Sequence, residues 1–119
     1  MKRIILEMGT GNDLYGEDYT KAACRAVDDA LHHSSLILFR SLGYDHNAME
    51  VRVTIAVQAP ERVDTAVVAA KLPRGKAVVK SFKGGLDVID SENGTHSVIA
   101  IAAVEAWLDI NPADWTGAE

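Results

Sequence analysis

The sequence has only one cysteine, Cys24, in 119 residues, which excludes an internal disulfide and a thiolate metal cluster. It also lacks a run of about 18 apolar residues, the length that a membrane-spanning helix needs. The apolar run near the start, from Ile4 to Leu6, is too short for the core of a signal peptide. These absences predict a cytoplasmic protein with no membrane partner.

Basic residues are too few and too scattered for a nucleic-acid surface. The chain has 12 lysines and arginines against 17 aspartates and glutamates, and its formal net charge is −5 at pH 7. Because binding to a phosphate backbone needs a concentrated basic patch, we expect no nucleic-acid partner. The sequence shows no repeat or linker, so we predict one domain at residues 1–110 and an irregular tail at residues 111–119.

A polar, glycine-rich stretch at residues 7–21 lies between a short apolar strand and a helix. It holds three glycines and four carboxylates. Gly9 and Gly11 should end the strand that residues 3–8 form by alternation. Polar loops between a strand and a helix often carry the chemistry of α/β domains, so this stretch is the best candidate for a site.

Two amphipathic helices are predicted. The first begins near Asp18 or Tyr19, with Asp18 as its N-cap, and buries an alanine-rich face. The second begins at Pro60, which suits a first helical turn. Its apolar residues recur at helical spacing and should be buried; they are Val63, Ala66, Val67 and Ala70.

Most of the remaining chain is predicted to form strands. Residues 49–58 alternate clearly, residues 76–89 form a third strand with a bulge or kink at Gly84-Gly85, and residues 98–104 suit a buried central strand. An Asn-Gly pair at residues 93–94 predicts a hairpin between the last two. Residues 36–42 fit either a short helix or a strand.

The resulting order, β-α-β-α-β-β, predicts an α+β two-layer sandwich in which both helices cover one face of a mixed four-stranded sheet. This order resembles the fold shared by the trimeric α/β chorismate mutases, the YjgF-like proteins and the tubulin C-terminal domain. The resemblance lies in the order of elements and implies no function by itself.

The sheet face away from the helices is predicted to be largely apolar, and such a patch is too large to leave in water. We therefore expect a homo-oligomer, and the fold relatives suggest a trimer. Alternation places on this face the residues Ile5, Thr54, Ala56, Val78, Phe82, Ile99 and Ile101, with Glu7, Arg52, Lys80 and Glu105 among them.

No cofactor or metal motif is complete. Gly11 and Gly16 have the spacing of a P-loop, but Glu17 and Asp18 follow where lysine and serine or threonine should stand, and their charges would repel phosphate. Residues 9–11 lack the third glycine of a dinucleotide fingerprint. The acidic loop could hold a hard cation, but a solvated, N-capping helix start is the favoured interpretation, and the histidines lack zinc spacing. We predict no cofactor and no bound metal.

Two charged residues near strand ends are candidate catalytic residues, each with a structural alternative. Glu7 could act as a general acid or base in a subunit interface, or could form a salt bridge to Arg52 or Lys80. Lys83 could pair with Ser81 as a nucleophile, or could be a solvated charge. Asp13 of the acidic loop is a third candidate, for acid/base chemistry or polar recognition, so the predicted catalytic set is Glu7, Asp13 and Lys83. The predicted ligand-binding set is Gly9, Gly11, Tyr15, Glu17, Asp18, Lys21, Gly84 and Gly85.

Four sequence motifs are distinctive as a set: residues 7–23, Leu72-Pro-Arg-Gly75, Gly84-Gly85-Leu86 and the apolar run 98–104. With them the chain resembles, over nearly its whole length, a family of small conserved hypothetical proteins that is named from a Listeria gene and whose function is unknown. The chain departs from that pattern in two places. Ser-Leu-Ile stands at residues 35–37, where a proline usually follows Ser-Leu, and Arg74 replaces a usual tyrosine.

Three functional interpretations stay open at this point. The first is an oligomeric small-molecule-binding protein or enzyme, with its site in the acidic glycine-rich loop at or near a subunit interface. The second is a non-catalytic oligomeric scaffold or binding module, in which that loop is only capped and solvated. The third, which the fold relatives imply, is an isomerase or amidohydrolase-like enzyme. The residues do not decide whether the protein is an enzyme.

Overall fold

The computed structural model describes residues 1–32, 48–72 and 76–109. Within them, two helices cover one face of a mixed five-stranded sheet, which confirms the predicted α+β class. The ambiguous segment 36–42, Arg74 and the predicted tail 111–119 lie outside the described residues. The elements are β1 (Lys2–Asp13), α1 (Tyr19–His32), β2 (Glu50–Val57), a 3₁₀ turn (Pro60–Arg62), α2 (Thr65–Ala69), β3 (Lys76–Lys83), β4 (Leu86–Asp90) and β5 (Thr95–Leu108).

The central strand of the sheet is β5, as the apolar run at residues 98–104 predicted. The strand order is β1-β5-β2-β3, and β4 also pairs with β5. Only β2 and β3 are parallel among the described pairs. Since β2 pairs with residues 101–107 of β5 and β4 with residues 95–99, β4 continues the line of β2.

The sheet has five strands instead of the predicted four because the chain crosses the end of β2 at Gly84-Gly85. Gly85 has a φ of 62°, and a Cβ there would lie 2.4 Å from the carbonyl oxygen of Ile99. The amide of Gln58 donates to the carbonyl oxygens of both glycines, at 3.0 and 3.3 Å. The predicted kink therefore separates β3 from β4, and the predicted hairpin turn at residues 91–94 then joins β4 to β5.

The predicted end of β1 at Gly9 is wrong, because the strand continues to Asp13. Gly9 and Gly11 face α1 across a very short distance. A Cβ on either glycine would lie 2.3 Å from the backbone of Ala26. The two glycines and the buried alanine face of α1 thus allow the helix to pack directly on the sheet.

The predicted faces of β1 are also wrong. A register irregularity between Arg3 and Ile5 shifts the strand, and Glu7 pairs with Val104, which is buried under the helices. Ile5 and Glu7 therefore lie on the helix face, whereas Leu6 and Met8 lie on the opposite face. A one-residue shift reverses every side chain of a strand, and the glycines that must face α1 set its phase.

The predicted second helix is divided in two. The chain forms a 3₁₀ turn after Pro60, and α2 then begins afresh with Asp64 as its N-cap, which accepts from the backbone N–H groups of Ala66 and Val67. This restart changes the helical phase. Val63 and Val68 are buried, but Val67 is 47% exposed, so only Val63 of the predicted buried face is in the core.

The start of α1 agrees with the sequence. The helix begins at Tyr19, and the Asp18 carboxylate accepts from the backbone N–H of Lys21 at 3.0 Å, which confirms Asp18 as the N-cap. No helix in the described part of the chain is long and apolar enough to cross a membrane.

Candidate functional site

The acidic loop between β1 and α1 is organised by Asp13. Its side chain is buried, and its carboxylate accepts from the backbone N–H of Asp18 at 2.9 Å and lies 3.4 Å from the guanidinium of Arg25. A Cβ at Gly16 would lie 2.6 Å from the same carboxylate. Asp13 therefore holds the loop closed around itself, and Asp18 caps α1.

Glu17 connects this loop to β5. It is the one non-glycine residue with a left-handed backbone in the described part of the chain, at a φ of 52°. Its Oε1 accepts from the backbone N–H of His96 at 3.0 Å and lies 3.2 Å from Nδ1 of the His96 ring. The loop is thus fastened to the first residues of the last strand.

Tyr19, Asp87 and His96 complete a polar cluster with Glu17, called the Tyr19 cluster below. The buried phenol of Tyr19 donates to Oδ2 of Asp87 at 2.6 Å, and its Oη lies 3.2 Å from Nε2 of His96. Oδ1 of Asp87 is buried without a hydrogen-bond partner in the described structure. The guanidinium of Arg62 lies 4.9 Å from the Tyr19 ring centroid.

Burial and the Asp87 carboxylate together keep the Tyr19 phenol neutral. Desolvation is the larger effect and the hydrogen bond to Asp87 is the next, and they raise the pKa of Tyr19 to about 12. A neutral phenol acts as a hydrogen-bond donor and not as a base. The cluster therefore joins α1, the acidic loop and the β4–β5 hairpin through a donor that persists at neutral pH.

The Tyr19 cluster is not arranged as a metal centre. Glu17 approaches Nδ1 of the His96 ring, whereas Asp87 lies 3.6 Å from Nε2 on the other side. The two carboxylates are thus separated by the imidazole. No three His, Cys, Asp or Glu side chains in residues 1–32, 48–72 and 76–109 are placed to share an ion.

Tyr19, Asp87 and His96 were not predicted from the sequence as site residues. Two signals were present: the Asn-Gly turn predicted the hairpin, and its register places His96 and Asp87 on the same face as buried Val98. Polar residues at inward positions of a hairpin indicate a hydrogen-bonded cluster. Their partner Tyr19 is 68 residues from Asp87, and no local pattern predicts that contact.

The three predicted catalytic residues do not converge within the chain. Glu7 lies on β1 and Lys83 at the end of β3, and these strands are separated by two others, about 14 Å at about 4.8 Å per strand. The alternative pairing of Glu7 with Arg52 or Lys80 is wrong, since Glu7 lies on the helix face. Ser81, the suggested partner of Lys83, donates to the carbonyl oxygen of Pro60 at 2.9 Å.

The eight predicted ligand-binding residues are dispersed. Tyr15 is 88% exposed beside the acidic loop, and Lys21 is exposed on α1. The other six have the places described above. Gly9 and Gly11 lie under α1, Gly84 and Gly85 lie at the β3–β4 crossing, Asp18 caps α1, and Glu17 belongs to the Tyr19 cluster. Their predicted role in ligand binding stays a prediction.

The sheet face opposite the helices, called the open face below, carries most of the exposed large apolar side chains. Strand pairing arranges it in rows, and Met8, Ala103, Thr54 and Lys80 form the middle row. Charged residues lie towards one end and apolar residues towards the other. The exposed large apolar side chains of the open face are Leu6, Met8, Val78, Phe82, Leu86, Val88 and Ile101.

An open groove of about 430 Å³ lies on this face across β2, β3 and β5. The side chains on its floor are small, since Thr54 lies directly beside Ala103 of β5. Arg52, Lys80, Glu50, Glu105, Val78 and Phe82 surround it. The open face thus provides a concave, amphiphilic surface, whereas the acidic loop uses its carboxylates internally.

Two ion pairs account for most of the charges around the groove. Arg52 lies 3.2 Å from Glu50, and its guanidinium is 4.2 Å from the Trp107 ring centroid. Glu105 lies 3.4 Å from Arg3 and accepts from the indole N–H of Trp107 at 3.3 Å. Lys80 is the one charged side chain of the groove for which the described residues supply no ion pair.

Comparison with known proteins identifies a family and a fold neighbour. A crystal structure from Nostoc punctiforme, described as an FtsZ-like protein of unknown function, is 36% identical to this chain with a TM-score of 0.80. It covers 92% of this chain, and the match spans 97% of its own. Curated proteins gave no match. Residues 3–106 match the family described as "Conserved hypothetical protein (Lin0512_fam)", and the chain therefore belongs to that family.

Proposed function

We propose that this protein is a homo-oligomer whose subunits pack through the open face, and that it binds a small molecule in the groove between them. The observation that carries the proposal is the concentration of large exposed apolar side chains on one sheet face. Met8 is 63% exposed there and Phe82 is 53% exposed. Burying such side chains is the main favourable contribution to association.

The size of the open face suits a specific interface. The sheet is four strands wide, because β4 continues the line of β2. Four strands about 4.8 Å apart, each about ten residues long at about 3.3 Å per residue, give a face on the order of 600 Å². A standard protein interface buries about 800 Å² per partner, and the uneven surface of side chains adds to the flat area. The other face of the sheet is covered by α1 and α2, and residues 1–32, 48–72 and 76–109 form no comparable apolar patch there.

The groove supports small-molecule binding better than the acidic loop does. Asp13 and Asp18 are committed to loop closure and helix capping, and Glu17 to His96. The groove instead has the Lys80 ammonium, which no described residue pairs, together with a threonine hydroxyl and apolar walls around an open volume. Ligand sites combine apolar walls with a few polar groups in this way. We therefore propose the groove of the open face, and not the acidic loop, as the ligand site.

A charge on the open face tests the assembly. Phe82→Lys places an ammonium at the apolar end of the face and is expected to lower the oligomeric mass measured by light scattering. Val67→Lys is the matched control, because Val67 has similar exposure on α2. The control should keep the wild-type mass. Equal masses for wild type and Phe82→Lys would show that the subunits do not associate through the open face.

A thermal-shift screen with small anions, cations and neutral molecules tests the binding function. A ligand at 100 times its dissociation constant adds about 2.7 kcal/mol to stability. An oligomer that no small molecule stabilises would contradict the binding function and would support the scaffold interpretation.

A further inference from the structure

We propose that the groove on the open face takes the carboxylate of a small monoanion that also has an apolar body. This inference rests on the proposed function, since it names the class of ligand for the same groove. Its basis is the charge balance of the groove and the division of its walls into a polar and an apolar half.

The charge balance favours one negative charge. Four side chains with formal charge line the groove: Glu50, Arg52, Lys80 and Glu105. Arg52 is paired with Glu50, and Glu105 with Arg3 from the neighbouring row. Lys80 thus contributes one positive charge that no described residue neutralises. Packing of a second subunit over this face would remove water from that ammonium, and an unpaired buried charge is costly.

The groups next to Lys80 suit a carboxylate. Lys80 and Thr54 are directly paired across β2 and β3, so their side chains lie side by side on the open face. Arg52 is two residues before Thr54 on the same strand and therefore points to the same side. An ammonium and a hydroxyl thereby border one spot, and the Arg52 guanidinium lies in the adjacent row, against Glu50 and the Trp107 ring. A carboxylate bound there would accept hydrogen bonds from the Lys80 ammonium and the Thr54 hydroxyl.

The apolar half of the groove suits the body of the ligand. Phe82 follows Lys80 by two residues on β3, and Val78 precedes it by two, so both flank the ammonium on the same face. Ala103, directly beside Thr54 on β5, has a small side chain next to the floor of the groove. A planar or short aliphatic body can lie against Phe82 while its carboxylate contacts Lys80. A volume of about 430 Å³ is within the range of small-molecule sites.

Three probes of nearly equal shape separate charge from apolar contact: benzoate, benzylamine and benzyl alcohol. Calorimetric titration of the wild-type protein is expected to show saturable binding of benzoate and at least about tenfold weaker binding of the other two. Lys80→Gln should weaken benzoate binding at least about tenfold, and Lys80→Arg should retain most of it.

The control for Lys80→Gln is Lys76→Gln. It removes the same charge from the same strand and face, but from two rows away, about 13 Å at about 3.3 Å per residue. That distance exceeds the Debye length of about 8 Å at physiological ionic strength, so benzoate binding should stay within about twofold of wild type. Light scattering of each variant gives its oligomeric mass in parallel.

The outcomes distinguish the class of ligand from the function itself. Benzylamine or benzyl alcohol binding as well as benzoate, or unchanged benzoate binding by Lys80→Gln, would overturn the carboxylate assignment while leaving a small-molecule site in place. Absence of binding by all three probes in an intact oligomer would also overturn the assignment. A monomeric protein that binds none of them would contradict the proposed function as well.

Discussion

The phenol of Tyr19, at the start of α1, donates a 2.6 Å hydrogen bond to the carboxylate of Asp87, which lies 68 residues later on β4. This contact connects the acidic loop, the helix and the hairpin. It belongs to a cluster in which every side chain has a partner from another element. The cluster thus ties the β4–β5 end of the sheet to the acidic loop and to α1.

Removal of that hydrogen bond should be destabilising. Tyr19→Phe removes the phenol donor from Oδ2 of Asp87, a largely buried carboxylate whose Oδ1 already lacks a partner in the described structure. Hydrogen bonds to charged groups contribute about 1.5–3 kcal/mol, and we expect a loss of that size in urea unfolding. Tyr15→Phe is the control, since Tyr15 is almost fully exposed. Equal stabilities for the two variants would contradict the role of the cluster.

The raised pKa of Tyr19 predicts how stability changes at high pH. The ordinary pKa of a tyrosine is 10.0, and that of Tyr19 in the folded protein is about 12. Folding thus favours the neutral phenol. The stability that this preference contributes is complete below pH 10 and is lost as the pH rises from about 10 to about 12. Ultraviolet absorbance of tyrosinate should show a late ionisation step near pH 12 that is absent in Tyr19→Phe. Identical titration curves would contradict the prediction.

A methyl group at Gly9 should not be tolerated. A Cβ there would lie 2.3 Å from the carbonyl oxygen of Ala26, which is backbone and cannot rotate away. We expect Gly9→Ala to cost about 3 kcal/mol or more in urea unfolding. Gly94→Ala is the comparison, because nothing lies within 4 Å of that position and only its φ of 67° opposes a side chain. That variant should lose about 1–2 kcal/mol. Similar costs would show that α1 does not depend on this close contact.

Neutralising Asp13 should lower stability and leave ligand binding unchanged. Asp13→Asn weakens the contacts of the buried carboxylate with the Asp18 N–H and with Arg25, and about 1–3 kcal/mol should be lost. Glu92→Gln removes one charge from the exposed hairpin turn and serves as the control. If Asp13→Asn kept its stability but lost a ligand-induced thermal shift, the ligand would bind in the acidic loop and not in the groove.

Local patterns predicted much of this fold because its strongest elements are periodic. The alanine-rich face of α1, the Asp18 cap, the hairpin turn and the buried run in β5 all follow from side-chain spacing. The errors came from features that depend on tertiary contact. The register of β1 is set by two glycines that must face Ala26, and the split of the second helix is set by the Asp64 cap.

The candidate sites were less predictable than the fold. A glycine-rich acidic stretch has the composition of a ligand loop, yet Gly9 and Gly11 pack against α1 and Asp13 closes its own loop. The groove of the open face is formed by residues from three strands that are distant in sequence, such as Arg52, Lys80 and Glu105. Alternation did place those three on the open face. It does not predict the ion pairs of Arg52 with Glu50 and of Glu105 with Arg3, which leave Lys80 without a partner among the described residues.

The measurement that tests the central claim most directly is the mass of the wild-type protein in solution at micromolar concentration. Light scattering coupled to gel filtration gives this mass independently of shape. The open-face interface predicts a multiple of the 12.8 kDa chain mass, with a lower mass for Phe82→Lys. A wild-type mass of 12.8 kDa would contradict assembly through the open face.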